Sequence, residues 1–435
     1  MKTSIQSIHA RQILDSRGRP TVEADVILQD GSFGRAAVPS GASTGAAEAH
    51  ELRDGDQDVY AGLGVKRAVG NANGELARAL SGFDASDQAG ADQLMRSIDG
   101  TPDLSRIGAN AVLAVSMAIC RASATAMKQA LHERIASLAQ VSETAMPMPM
   151  VNILSGGLHA GRGMDVQDFL AVPVGAKSFE EAIHQIVKVR SAAASLMAKH
   201  GLSTLLADEG GLSPGFETSG QALDLMIASF EAAGFKPGED MSIAIDVASS
   251  SLIGNEGSYL LAREGRTLSA EAMISMLRGW VRDYPVCSIE DGLHEDAWED
   301  WKILTSELGS QVQLVGDDLF TTNLDRVQRG VDSGVANGVL IKLNQNGTLS
   351  GTLEVIRRAR EAGYAAVISA RSGETEDTFI ADLAVGTRAG HIKVGSVRCS
   401  ERLSKYNQLL RLEESTKSPF AGMSAYSSWK RPARA

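Results

Sequence analysis

Cysteine is scarce in this chain. Cys120, Cys287 and Cys399 are odd in number, far apart and without CxxC spacing, which argues against a disulfide framework or a thiolate zinc site. A long apolar run is also missing. The richest stretch, around Ala109 to Cys120, contains Asn110 and Ser116 and falls short of the roughly 20 residues a membrane span requires. MKTSIQSIHARQ has no basic region leading into an apolar core, so no secretory signal is read there and reduced thiols in the cytoplasm are the expectation. Basic charge is in deficit: the net charge is −11, and only the short tail KRPARA is basic. A phosphate backbone demands clustered Lys and Arg, so neither nucleic acid nor membrane is an expected partner. The bulk field would repel a small anion, and local Lys, Arg and metal charges must reverse its sign at any site that binds one.

What is present is ordinary globular composition, 43% hydrophobic and 22% charged, with no sign of extended disorder. At 435 residues the chain exceeds one compact core, and two domains are expected. Residues 4–38 alternate β-type runs with turns and reach the small-residue loop PSGASTG. The pattern turns helical from Leu63 to Ala139, with GANAVLAVSMAICRASATAMKQALHERIASLAQ as its most regular part. Strands followed by helices, without alternation, predict an α+β amino-terminal domain over 1–138. VSET and the Pro-spaced AMPMPM read as the linker, and 139–435 as the second domain.

In that second half six short apolar runs, SIAIDV, PVCSIED, QLVGDD, GVLIKL, AAVISA and HIKVGS, stop on Asp246, Glu290, Asp317, Lys342, Ser369 and Lys393. A charge after a strand often marks only the chain leaving its core. The set is different, because gaps of 44, 27, 25, 27 and 24 residues fit one βα unit or slightly more each. Helical segments such as SAEAMISMLRGWVRDY, with Ser269 placed as a cap and a stripe of Met273, Met276, Leu277, Trp280, Val281 and Tyr284 placed as core, separate the runs. The fold class expected is therefore α/β, a parallel barrel whose strand ends gather polar groups at one mouth. Three carboxylates without His or Cys companions make a hard oxygen site that favours Mg²⁺ over zinc. Lys342, one strand beyond the acids, is placed to act as a base beside such a cation.

The motifs DSRGRPTVEADV, VPSGASTG, GANAVLAVS, DEGG, SIEDGL, LVGDDLF, IKLNQNGTL, SGETEDTFIADLAVGT and KYNQLLRLEE resemble those of the enolase (phosphopyruvate hydratase) family, collinear from Ala10 to Glu414. The resemblance implies an α+β lid domain and an enolase-type (β/α)8 barrel of ββαα(βα)6 topology, assembled as a homodimer or, in some members, an octamer. It implies a Mg²⁺ held by Asp246, Glu290 and Asp317, and a second ion arriving with substrate at Ser43. By the same likeness Lys342 is the base and Glu209 the acid that helps hydroxide leave. His159, Asp168, Arg371, Ser372 and Lys393 match substrate-binding positions for a small anionic phosphorylated or phosphonate substrate.

The chain also departs from the family pattern. Ala370 stands where a histidine is usual, Asp168 replaces a glutamate, Ser155 an asparagine and Ser251 a glutamate, with smaller changes at Asn346 and Cys399. Metal, base and phosphate groups are kept while polar groups around the leaving hydroxyl are trimmed. The leading expectation is proton abstraction from 2-phosphoglycerate or phosphoenolpyruvate-type substrates at a reduced rate. Beside it stands an activity like carboxyphosphonoenolpyruvate synthase of phosphonate biosynthesis, and behind both a non-catalytic relative.

Overall fold

The computed structural model describes residues 3–41, 45–426 and 429. The amino-terminal domain is built on an antiparallel sheet of β1 (Ile5–Leu14), β2 (Pro20–Leu28) and β3 (Phe33–Ala37). The carboxylate of Asp15 closes the first turn by accepting from the backbone N–H groups of Arg17 and Arg19. One face of the sheet packs on the helix Ala109–Met127, where an added Cβ at Gly34 would stand 2.2 Å from the carbonyl oxygen of Ala118. This helix runs for 19 residues, past the apolar stretch that ends at Cys120, and by length and composition alone it would suffice to cross a membrane. Here most of it is buried, as expected of a largely apolar helix that sits inside a core.

The second domain is a closed barrel of β4 (Met148–Ser155), β5 (Asp168–Val172), β6 (Ser242–Asp246), β9 (Val286–Glu290), β10 (Gln313–Gly316), β11 (Gly338–Ile341), β12 (Ala365–Ser369) and β13 (Gly390–Gly395). A hairpin of β7 (Tyr259–Leu261) and β8 (Arg266–Leu268) stands outside it. Only β5 runs antiparallel to both its neighbours. Two helices, Phe179–Lys199 and Ser219–Ala232, follow β5 before the βα alternation begins. The ββαα(βα)6 order expected from the sequence is thus present.

One expectation is corrected. Part of AMPMPM is not linker: Met148, Pro149 and Met150 already belong to β4, in register with His391, Ile392 and Lys393. Proline argues against strand when read locally, yet it is tolerated near a strand's first residues. The cap and stripe of the Ala270–Asp283 helix are as expected, with Ser269 accepting from the N–H of Ala272 and Met273, Leu277 and Trp280 buried. Between the domains, Arg96 donates to the carbonyl of Asn346 at 2.8 Å and Arg121 pairs with Asp377 at 2.8 Å. These contacts hold the sheet domain over the barrel mouth.

Candidate active site

The barrel strands deliver residues at or near their carboxyl ends to one place. Asp246 and Glu290 end β6 and β9, and Asp317 and Lys342 directly follow β10 and β11. Lys393, expected where its run stops, lies inside β13, which continues to Gly395. Asp168 opens β5, and because β5 is antiparallel its first residue lies at the same mouth, opposite Asp246, which is itself opposite Glu290. Lys393 reaches between these two acids, with Nζ 2.7 Å from Asp246 Oδ2 and 2.8 and 2.9 Å from the oxygens of Glu290. Lys342 bonds Asp317 at 2.5 Å, and Gln345 donates to the other oxygen of Asp317 at 2.9 Å. Gln167 donates to Asp246 at 3.1 Å. Non-glycine residues with positive φ follow several of these strand ends, Ala248, Asp291, Thr321 and Thr322 among them. Such backbone is held only where its surroundings over-determine it.

Burial and neighbouring charge oppose one another throughout. Burial pulls the ammonium of Lys393 down, but Asp246 and Glu290 hold it well above the ordinary lysine range. Lys342 is likewise pulled down by burial and pushed up on balance by Asp317. Burial and the charge of Asp246 push Glu290 well above the usual carboxylate range. Asp317 is raised by burial, yet the Lys342 ammonium brings it below its ordinary value.

A second group sits beside the first. His159 lies in the short turn Leu158–Ala160, with Nδ1 3.7 Å from Asp168 and 3.8 Å from Glu209. Burial pulls the imidazole down, but the two facing carboxylates outweigh it and raise it to about 9. Asp168 is raised chiefly by burial and takes a 2.8 Å bond from Asn152, whereas Glu209, raised by burial, is brought low by the charge of His159. Glu209 reaches this position from a turn in which Gly210 has φ +82, and a Cβ at Gly211 would meet the hydroxyl of Ser155 at 2.3 Å. Ser155 Oγ, His159 Nδ1 and Asp168 Oδ2 are buried with no hydrogen-bond partner among the described residues. Three orphaned polar atoms at one spot call for a polar ligand or water.

Arg371 and Ser372 form the remaining wall. Arg371 is buried and bonds Glu48 and Asn344, each at 2.9 Å. Arg402 supports this turn by donating to the carbonyls of Arg371 and Ser372. Arg17 stands 3.5 Å from the Ser372 hydroxyl. Ala370 lines the same small cavity as Lys342, Lys393 and Glu209, offering only a methyl group. Ser43 lies outside the described residues.

All the other expected site residues, Asp246, Glu290, Asp317, Lys342, Lys393, Glu209, His159, Asp168, Arg371 and Ser372, therefore meet at this mouth. Sequence reasoning missed Glu48, Arg17, Asn152, Gln167 and Gln345. Gln167 adjoins a named residue, and Gln345 stands in the quoted IKLNQNGTL motif. Glu48 carries no local signal beyond following the small-residue loop.

The donor set suits a hard divalent cation, since Asp246, Glu290 and Asp317 supply oxygen only. These three acids do not form the tightest cluster. Ligand atoms within 4.8 Å of one another occur in His159–Asp168–Glu209 and in Asp291–Asp317–Asp318, while lysine ammoniums occupy the spaces beside Asp246, Glu290 and Asp317. Asp291 already accepts from the backbone N–H groups of Asp317 and Asp318. The all-oxygen donor chemistry is what fits a cation here, and Asp246, Glu290 and Asp317 are the residues that would hold it.

Comparison with protein families gives two matches that together span most of the chain. Residues 5–135 match the family model described as enolase, N-terminal domain, and residues 143–428 match enolase, C-terminal TIM barrel domain.

Proposed function

The chain belongs to the enolase family, and from that membership we propose that it removes the proton α to the carboxylate of a small phosphorylated substrate of the 2-phosphoglycerate or phosphoenolpyruvate type. The observation that carries this reading is the pair of lysines, half-buried Lys342 and buried Lys393, set among three carboxylates at the barrel mouth beside Arg371. Mg²⁺ bound by Asp246, Glu290 and Asp317 would supply Lewis-acid stabilisation of the charge that develops on the substrate carboxylate. In dehydration the C–H proton passes to neutral Lys342, and hydroxide leaves from the next carbon as water with a proton from the Glu209–His159 pair. Asp317 holds Lys342 charged in the structure, so its action as base requires this ion pair to loosen. Arg371, Ser372 and Lys393 bind the anionic ends of the substrate. Homodimeric or octameric assembly and a cytoplasmic location belong to the same reading.

A second reading, an activity like carboxyphosphonoenolpyruvate synthase, draws on the methyl wall of Ala370 and the unpartnered atoms of Ser155 and Asp168. Those features set a small side chain beside polar atoms that lack partners, where an altered substrate could be accommodated. The test is exchange of the C2 proton of 2-phosphoglycerate with D₂O in the presence of Mg²⁺, followed by mass spectrometry. Exchange that falls at least 10²-fold in K342A supports the proposal. Folded, metal-loaded protein that exchanges nothing refutes it, and a new phosphonate product from nucleotide-activated phosphonoformate and a three-carbon partner would favour the second reading.

A further inference from the structure

Arg402 takes no step in the chemistry above, yet its side chain is wholly buried. It stands in the first turn of the helix Ser400–Thr416 and directs its guanidinium at main-chain oxygens. Nη1 donates to the carbonyls of Arg371 and Val394 at 2.6 and 3.1 Å, and Nη2 to that of Ser372 at 2.7 Å. Glu401 comes within 3.5 Å of Nε, but Nε has no hydrogen-bond partner among the described residues. Neutral carbonyls offset a buried charge only in part. Lys405, one turn further along the same helix and also buried, is different. It donates to the carbonyl of Thr375 and pairs with Glu374 at 2.9 Å, so its charge has a carboxylate partner. Glu374 in turn accepts from the backbone N–H groups of Arg371 and Thr375 at 3.1 and 3.2 Å.

What the Arg402 guanidinium holds is the turn that carries two of the mouth's polar groups. Arg371 and Ser372 line the same cavity as Lys342, Lys393 and Glu209, and neither belongs to a helix or a strand. No ladder of backbone bonds fixes them, so their placement depends on what grips the turn. On the other side the sheet domain grips it: Gly373 exchanges N–H···O bonds with Ser40 at 2.7 and 2.9 Å, and the Ser16 hydroxyl donates to the Ser372 carbonyl at 3.3 Å. Gly395 lets Arg402 approach closely, since a Cβ there would stand 3.2 Å from Arg402 Cδ and 2.9 Å from the carbonyl oxygen of Glu209. Arg402 therefore lies directly behind the mouth, one glycine away from the backbone of Glu209.

We infer that Arg402 is a positioning residue for anion recognition: by fixing the carbonyls of Arg371 and Ser372 it holds both residues where an oxyanion of the substrate meets them, and its partly offset charge adds to the field there. The inference rests on the reading of Arg371 and Ser372 as anion contacts. A turn fixed before the anion arrives leaves little ordering cost for the binding step.

Calorimetric titration of the full chain with inorganic phosphate in the presence of Mg²⁺ tests it. The parent should bind one phosphate per chain and R371A should lose it, which establishes the anion contact without any turnover. R402K keeps a charge but cannot bridge both carbonyls, so R402K and R402M should each weaken phosphate at least about tenfold, the weight of one hydrogen bond to a charged group. Y406F serves as control, because it removes the bond from Tyr406 to the carbonyl of Gly395 in the same helix without touching the turn. It should melt lower while binding phosphate as the parent does. R402K with the parent's affinity, or Y406F weakened as much as R402K, would overturn the role of Arg402 and leave the anion reading intact; a parent that binds no phosphate overturns both. Should neither Arg402 variant fold, hydrogen exchange of the parent decides. Phosphate that slows amide exchange at residues 400–405 together with 371–372 supports the clamp, and slowing confined to 371–372 rejects it.

Discussion

Replacing Lys393 by methionine isolates the electrostatics that hold the barrel mouth together. Methionine keeps similar length but loses the ammonium that lies within 2.9 Å of both Asp246 and Glu290. All three side chains are buried, and breaking a buried ion pair by removing one partner costs about 3–5 kcal/mol. Unfolding entropy of ~2.1 cal/mol/K per residue over the roughly 290 residues of the barrel gives ~0.6 kcal/mol/K, so K393M should melt about 5–8 °C below the parent in EDTA. Glu290 is already pushed up by burial and by Asp246. At lower pH it takes up a proton and softens the loss, which should therefore grow as pH rises. Mg²⁺ should reverse much of the loss, since a ligand at 100 times its Kd contributes about 2.7 kcal/mol. In the parent, lysine competes with the cation for the same oxygens, so Mg²⁺ should raise the variant's melting temperature by more than it raises the parent's. Scanning calorimetry with and without Mg²⁺ measures both shifts. A variant that melts within a degree of the parent in EDTA, or gains no more from Mg²⁺, would show that these acids are neither stressed nor a cation site.

Restoring A370H and D168E together should raise 2-phosphoglycerate dehydration by 10²-fold or more if the trimmed polar groups limit turnover; steady-state absorbance at the product band reads this, and unchanged kcat places the limitation elsewhere. Asp382 is raised by burial from 3.8 to about 6, so the parent loses stability as pH climbs from ~4 to ~6 and bears the full penalty, about 3 kcal/mol, above that range. D382N should therefore be more stable than the parent at pH 7–8 and gain nothing at pH 4, whereas parallel denaturation profiles would contradict the assignment. G34A forces a Cβ to within 2.2 Å of the Ala118 carbonyl and should cost about 1–3 kcal/mol by overpacking; an unchanged urea midpoint would mean the sheet and helix move apart freely.

The features legible in the sequence were those set by local periodicity. Apolar runs ending on Asp246, Glu290, Lys342 and Lys393 marked barrel strands because a buried parallel strand must be apolar until it leaves the core. Ser269 marked a helix start because a cap bonds only three residues ahead. Pairings were a different matter. Lys393 meets Asp246 and Glu290 across 147 and 103 residues, and Arg371 meets Glu48 across 323. No local rule selects such partners; closing the barrel and laying the sheet domain over its mouth does. The reversed direction of β5, which brings Asp168 to the mouth from a strand's beginning, is likewise decided by tertiary contacts, as is the strand start at Met148-Pro149. The residue types for a cation, a base and an anion site are written in the chain. Which acid is pushed up by burial, which lysine pairs with it and which buried polar atoms are left without a partner depend on burial and on distances that only the folded barrel sets.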